Sequence, residues 1–417
     1  MNAKDRCGNT ALMVAIRNGQ QEVVRMLLED HRVNVHAKGF NGNTALILAS
    51  CRGETEVVGI LLKDDKVNVN AKNNGGNTAL NLASRYGAQQ VVGVLLTEDK
   101  VDVHAKDNQG KTALIAASEN GHEEVVEILL KDDRVDVHAK DNQGKTALIA
   151  AIENGREEVV KILLKDDRVE VNAKDDDGAT ALIWASRYGA QELVSILLKD
   201  DRVDVDAKDN QGRTAFHWTS YSGARDVVRM LLKDDRVDVN AKSDDGTTAL
   251  IIASQEGHQQ VVRILLKDDR VDVNAKDNQG YTAFIVASRL GTKKGRVVVD
   301  ILLKDNRVDV SAKDYRGRSA FFWVSYCGSP RAIRMFLKHG RVDVNAAGGA
   351  LGNTALMWAC LRGQTAIVSE LLALPMVDVH AKNKAGSTAL DIARELNMLE
   401  IARLLEARAE FDRRRDW

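Results

Sequence analysis

The chain is poor in the residues that usually carry chemistry or cross-link a fold. Its 417 residues include only four cysteines, two prolines, five tryptophans and six tyrosines. The cysteines Cys7, Cys51, Cys327 and Cys360 show neither metal-ligand spacing nor an even disulfide framework. Reduced thiols and an intracellular, cytoplasmic setting are expected, with Cys327–Cys360 the one pairing left open. Net charge is also missing: 59 basic residues stand against 60 acidic ones, a formal balance of -1. A nucleic-acid or anionic-membrane partner would need a basic excess, so neither is expected. No apolar run reaches membrane-spanning length. The opening MNAKDRCGN is too polar for a secretory leader. A glycine-rich phosphate loop and a serine elbow are both absent. The expectation is a chain with no catalytic residues, no cofactor and no metal site.

What the chain has instead is repetition. The anchor Thr-Ala-Leu, or a close variant, begins at Thr10, Thr44, Thr78, Thr112, Thr146, Thr180, Thr214, Thr248, Thr282, Ser319, Thr354 and Thr388. The step is 34 residues except for 37 between Thr282 and Ser319 and 35 between Ser319 and Thr354. A fixed period of this length decides the architecture before any local reading. Length alone suggests two or three domains; the period predicts one, spanning residues 1–417, with residues 388–417 as a polar C-terminal cap and charged tail.

The module Asp141–Lys174 shows the physics of one unit. Asp-Asn-Gln-Gly suits a tight turn, with Gly144 free to take positive φ. Thr146 is placed to cap a helix with its hydroxyl, and Leu148, Ala151 and Ile152 share one face of it. Gly155 stands where a helix end wants a left-handed residue. A second helix puts Val159, Val160, Leu163 and Leu164 on one stripe, with Glu157, Glu158 and Lys161 outward. Helices of about 8–10 residues are marginal alone in water. Such a unit must bury its stripe against copies of itself, which makes a solenoid.

Gly-Xaa-Thr-Ala-Leu, the following Ala-Ser, the inter-helix Gly, Val-Val-Xaa-Xaa-Leu-Leu and Val-Asp-Val-Asn-Ala-Lys together resemble the ankyrin repeat, over nearly the whole chain. The fold this implies is all-α: a solenoid of stacked antiparallel helix pairs with extended finger loops. The family's Pro after Thr is Ala in every copy here, and its His survives only as His217. The resemblance further implies a non-enzymatic scaffold that binds a partner protein or peptide on its concave face, as a monomer. The alternative is the recruiting part of a larger enzyme whose catalytic domain lies outside this chain. Finger asparagines are hydroxylation targets in the family, and the matching residues are Asn70, Asn172, Asn240, Asn274 and Asn345.

Carried onto this sequence, the family's exposed slots flank the finger-tip glycine and precede the inter-helix glycine. All six tyrosines fall in them, and the candidate partner-binding set is Arg187, Tyr188, Arg213, Tyr221, Tyr281, Arg289, Tyr315, Arg316, Arg318 and Tyr326. Tyrosine and arginine are enriched at interface hot spots. Trp184, Trp218, Trp323 and Trp358 occupy another slot, expected to be mostly buried with one edge open to the groove. His36, His104, His138 and His380 share the finger Asn slot. Spaced about 10 Å apart on stacked elements, they cannot share one zinc, and structural hydrogen bonding is expected. The recurrent Lys-Asp-Asp loops read as a solvated rim, because a catalytic pair would be singular and sheltered. The insertion Thr292–Gly295 reads as a lengthened inter-helix loop, either neutral or a basic contact, and Ala346–Ala350 as the most flexible finger.

Overall fold

In the computed structural model, residues 2–415 are described. The expected C-terminal tail is followed as far as Arg415; Asp416 and Trp417 lie outside the described residues. The chain divides into two compact units, Met1–Asn210 and Gln211–Trp417.

The first unit holds six helix pairs: α1 (Ala11–Arg17) and α2 (Gln21–Glu29), α3 (Ala45–Cys51) and α4 (Thr55–Leu62), α5 (Ala79–Arg85) and α6 (Gln89–Leu96), α7 (Ala113–Asn120) and α8 (Glu123–Leu130), α9 (Ala147–Glu153) and α10 (Glu157–Leu164), α11 (Ala181–Tyr188) and α12 (Gln191–Leu198). The second holds six more: α13 (Ala215–Ser222) and α14 (Arg225–Leu232), α15 (Ala249–Glu256) and α16 (Gln259–Leu265), α17 (Ala283–Arg289) and α18 (Lys293–Leu303), α19 (Ala320–Cys327) and α20 (Pro330–His339), α21 (Ala355–Leu361) and α22 (Thr365–Leu372), α23 (Ala389–Glu395) and α24 (Leu399–Arg415). Within each unit the odd-numbered inner helices pack on one another in succession, and so do the even-numbered outer ones. Among the described residues there is no β-strand, only two isolated bridges.

The capping works as the sequence predicts. Thr146 is extended (φ -81°, ψ 171°), and its hydroxyl accepts from the Ile149 N–H at 3.4 Å. Asn397 stands in the inter-helix glycine slot of the last repeat and takes φ 55° as glycine does elsewhere. Finger tips stack too closely for any side chain at their glycine. A Cβ on Gly110 would lie 2.7 Å from the backbone nitrogen of Asn142 in the next repeat.

Three expectations are extended or corrected. First, the inner helices bury more than the face that Leu148, Ala151 and Ile152 share. Every residue from Ala147 to Ile152 is at most 4% exposed, because α9 is enclosed by its two inner neighbours and by α10. Second, the insertion after Gly291 is helix rather than loop. The Thr292 hydroxyl accepts from the Gly295 N–H at 3.1 Å, and α18 runs for 11 residues where α10 has 8. The added residues cap well, so they join the helix. Third, half of each Lys-Asp-Asp loop is not solvated rim. Asp166 Oδ1 accepts from the backbone N–H and Nε of Arg168 at 3.0 and 3.1 Å, and Oδ2 from Nη2 at 2.7 Å. That same Nη2 donates at 2.6 Å to the carbonyl of Leu130, at the end of the preceding outer helix. Arg202 and Arg270 repeat the bond to Leu164 and Leu232. A cation thus satisfies an orphan carbonyl at a helix C-terminus. Hydrogen bonds from Arg168 hold the Asp166 carboxyl below its usual range. Asp167, the second acid of the pair, is exposed.

Finger asparagines also join repeats. Asn70 donates to the Lys100 carbonyl at 2.7 Å and accepts from the Asp102 N–H at 2.8 Å. At the same slot His104 and His138 use their backbone N–H groups, on Asp102 and Asp136, and both residues are exposed. In the finger Ala346–Ala350 the extra residue is taken up in a turn closed by the Gly348 N–H on the Asn353 carbonyl at 2.9 Å.

Candidate functional site

The fingers and inner helices line one side of each unit. In the first unit this side is mostly polar and internally paired. Lys111 meets Glu119 at 2.6 Å, and Lys145 meets Glu153 at 2.6 Å. The Trp184 indole donates to Asp175 Oδ2 at 2.7 Å. Arg187 lies 5.2 Å from the Trp184 ring centroid, and Tyr188 stacks on the same ring at 5.6 Å. The candidates Arg187 and Tyr188 thus gather on one buried tryptophan, leaving Tyr188 54% exposed.

In the second unit Trp218 holds Arg213 over its face at 5.0 Å and Tyr221 at its edge at 5.8 Å. Further along, Trp323 gathers a larger group. Arg289 and Arg318 lie over its ring at 4.8 and 4.4 Å, and Tyr281 and Tyr326 meet it edge-on. Tyr326 passes the contact on, stacking on Phe322 at 6.1 Å and meeting Trp358 edge-on at 5.9 Å, with Arg362 over its own ring at 4.8 Å. Cation–π contacts of this kind orient guanidinium groups without consuming their hydrogen-bond donors.

Charge on this stretch is one-sided. Among the described residues Arg289, Arg316 and Arg362 have no carboxylate partner. Arg318 pairs with Asp314 at 2.7 Å, but that carboxylate is fully buried and also receives the backbone N–H groups of Arg316 and Arg318. Tyr315 at the finger tip is 71% exposed and Arg316 beside it is exposed.

Tyr281 does not fit the exposed-slot expectation. It is 6% exposed, covered by Arg289 at 4.4 Å, and its hydroxyl accepts from Arg318 Nη2 at 2.9 Å. Flanking side chains of the next repeat close over a ring that the slot rule leaves open. Of the tryptophans Trp184 is buried, while Trp218, Trp323 and Trp358 are half-buried. Arg362 was missed, although it directly precedes the inter-helix glycine Gly363 and obeys the slot rule; a search that starts from tyrosines passes over it. Phe322 sits in a slot filled by Ile or Met in most repeats and by Asn81, His217 and Asp391 in the others, and gives no local signal of its contacts.

Other chemistry is thin. No group of three or more His, Cys, Asp or Glu among the described residues is placed to hold a metal. All four cysteines are free, and burial pushes the Cys360 thiol up to about 12. No described helix is long and apolar enough to cross a membrane.

No curated protein matches the chain in a sequence comparison. Family models do match. One described as ankyrin repeats in three copies covers residues 30–107, 99–175, 167–243, 236–314, 293–383 and 321–415. A second, ankyrin repeats in many copies, covers residues 1–49. With the helix pairs, capped anchors and stacked fingers described above, these matches make the chain a member of the ankyrin-repeat family.

Proposed function

We propose that the chain is a non-enzymatic interaction scaffold whose partner, a protein or peptide, docks on the finger and inner-helix side. Ankyrin repeats generally mediate protein–protein interaction and are typically non-catalytic. The observation that carries the reading for this chain is the group around Trp323. It combines packed aromatic rings with Arg289 and Arg362, guanidinium groups that lack carboxylate partners among the described residues, on the side where the first unit pairs its charges internally. Rigid rings hold a partner at low entropy cost, and unpaired arginines select an acidic one. The partner over the ninth to eleventh repeats is therefore an acidic segment.

Selection of peptides from a display library on the intact chain tests this. Enriched peptides should carry Asp or Glu beside an apolar residue. The variant Tyr315→Ala/Arg316→Gln/Arg362→Gln should bind them roughly a hundredfold more weakly, the loss of a hot-spot group. Its melting temperature should be nearly unchanged, because all three side chains are outside the core. Equal binding by that variant would remove the assignment.

A further inference from the structure

The 37-residue step does more than lengthen a helix. It adds Lys293 to the first turn of α18, one turn before Arg296, facing α20 of the next repeat. On α18, Lys293, Arg296, Val297 and Asp300 follow an i, i+3, i+4, i+7 stripe, and Arg331, Arg334, Met335 and Lys338 do the same on α20. The two stripes face each other across a groove of about 630 Å³, within the range of small-ligand sites. Val297 and Met335 supply its apolar part.

Five of the lining groups are cations and one is an acid. That acid, Asp300, is already engaged by Lys304 at 2.6 Å and His339 at 3.6 Å. Burial, the largest single influence, pushes its carboxyl up, but the hydrogen bonds and charges of Lys304 and His339 together outweigh it and the net shift is downward. The carboxylate therefore stays ionised and neutralised within its own cluster. Among the described residues Lys293, Arg296, Arg331 and Lys338 have no carboxylate partner, and Arg334 has only a loose one, Glu370 at 3.5 Å with Arg334 63% exposed. An exposed pair of that kind contributes little. Other outer faces differ: α8 exposes Glu123, Glu124 and Glu127, α10 exposes Glu157, Glu158 and Lys161, and α16 exposes Arg263 as its one charge. The groove gathers five cations on a chain with formal net charge -1.

We propose that the α18–α20 groove is a second binding site, separate from the finger side, for a ligand that carries several phosphate groups. Three arginine forks match phosphate oxygens in pairs, which lysine alone does not do. The groove is walled by two helices, so it has no strand edge to hold an extended peptide. Recognition there rests on side-chain charge in a confined volume, and clustered phosphates supply the densest matching charge.

Titration calorimetry of the full chain with inorganic tripolyphosphate is the test, alongside sedimentation with phosphatidylcholine vesicles containing a few per cent of a bisphosphorylated inositol lipid. Saturable binding is expected, weakened at least about tenfold in Arg296→Gln/Arg331→Gln/Arg334→Gln, roughly 1.4 kcal/mol. Arg289→Gln/Arg362→Gln, on the finger side, should bind tripolyphosphate as the parent does. Circular dichroism of both variants controls for folding, and the single charge reversal Arg331→Glu repeats the test with the least perturbation. Capture by the vesicles that excess tripolyphosphate displaces and the triple variant loses would place the phosphates on a lipid headgroup; tripolyphosphate binding without vesicle capture would place them on a soluble ligand. Either supports the site. Absence of saturable binding to both probes, equal binding by the triple variant, or equally tight binding of polyglutamate would overturn it.

Discussion

The sixth and tenth repeats share a frame and differ in what fills it. Each has an aspartate five residues before its anchor and a tryptophan four residues after it: Asp175 with Trp184, Asp314 with Trp323. In the sixth repeat Ala179 precedes the anchor, and Asp175 accepts the indole N–H at 2.7 Å. In the tenth, Arg318 stands in that place and takes the carboxylate at 2.7 Å. The Trp323 indole N–H then has no acceptor among the described residues, although its ring, like that of Trp184, carries two cations. One position, occupied by alanine or arginine, decides whether the indole N–H is tied into the frame. The finger sides of the two units differ as well: Lys–Glu pairs in one, and in the other Arg289 and Arg362 on aromatic rings without carboxylate partners among the described residues.

The frame itself should be equally costly to break in either unit. Phe336→Ala removes a ring that is 0% exposed and should cost about 3–5 kcal/mol; Leu163→Ala should cost about 2–5 kcal/mol. Glu157→Ala, on an exposed position, should cost under about 0.5 kcal/mol. Denaturant melts measure all three, and similar losses at Leu163 and Glu157 would mean the helix faces are misread.

Asp175→Ala comes next. It leaves the indole N–H and the turn N–H groups of Asp177 and Ala179 without their acceptor. The expected cost is about 1–3 kcal/mol, that of unmaking buried hydrogen bonds.

A smaller effect separates repeats by their loops. Arg168→Ala removes the bonds to Asp166 and Leu130 and should cost about 1 kcal/mol. Lys66→Ala should cost less, because Asp64 receives only the Lys66 backbone N–H. The Arg168 effect should depend on pH. The Asp166 carboxyl titrates lower in the folded chain than when unfolded. Its contribution is therefore present above the unfolded value of roughly 4 and lost as pH falls through the folded one. The melting difference between parent and Arg168→Ala should shrink in acid, and a constant difference down to the acid transition would contradict the clamp.

Least disruptive is Arg318→Ala, which converts the tenth repeat to the pattern of the sixth. Freed from arginine, Asp314 can accept the Trp323 indole N–H. In a proton–nitrogen spectrum that indole resonance should move toward the position of Trp184. An unmoved peak would show that some other feature keeps the two apart.

Much of the frame was legible in the sequence. Period, caps and apolar stripes are local and repeat with the chain, so twelve anchors report the same helix pair twelve times. The inserted residues at Thr292 were misjudged because length was read without asking whether they cap and extend a helix. The aspartates of the Lys-Asp-Asp loops looked solvated because the carbonyl that their arginine reaches lies 38 residues back. Tyr281 looked exposed for a related reason, since two of the three side chains that cover it, Arg318 and Trp323, belong to the next repeat and only Arg289 to its own. Slots are read within a repeat, whereas burial is decided between repeats. The candidate site was correspondingly half legible: its tyrosines and arginines were picked out by slot, but the tryptophan that gathers them was read as packing with one edge open to the groove, not as the centre of the group.

Hydrogen exchange with a selected acidic peptide tests the central claim most directly. The account predicts added protection at the finger tips and inner-helix ends of the ninth to eleventh repeats, around Tyr315–Arg318, Tyr326–Gly328 and Leu361–Gly363, with the outer helices and the first unit unchanged. Protection that fell on the outer helices, or on the first unit alone, would contradict it.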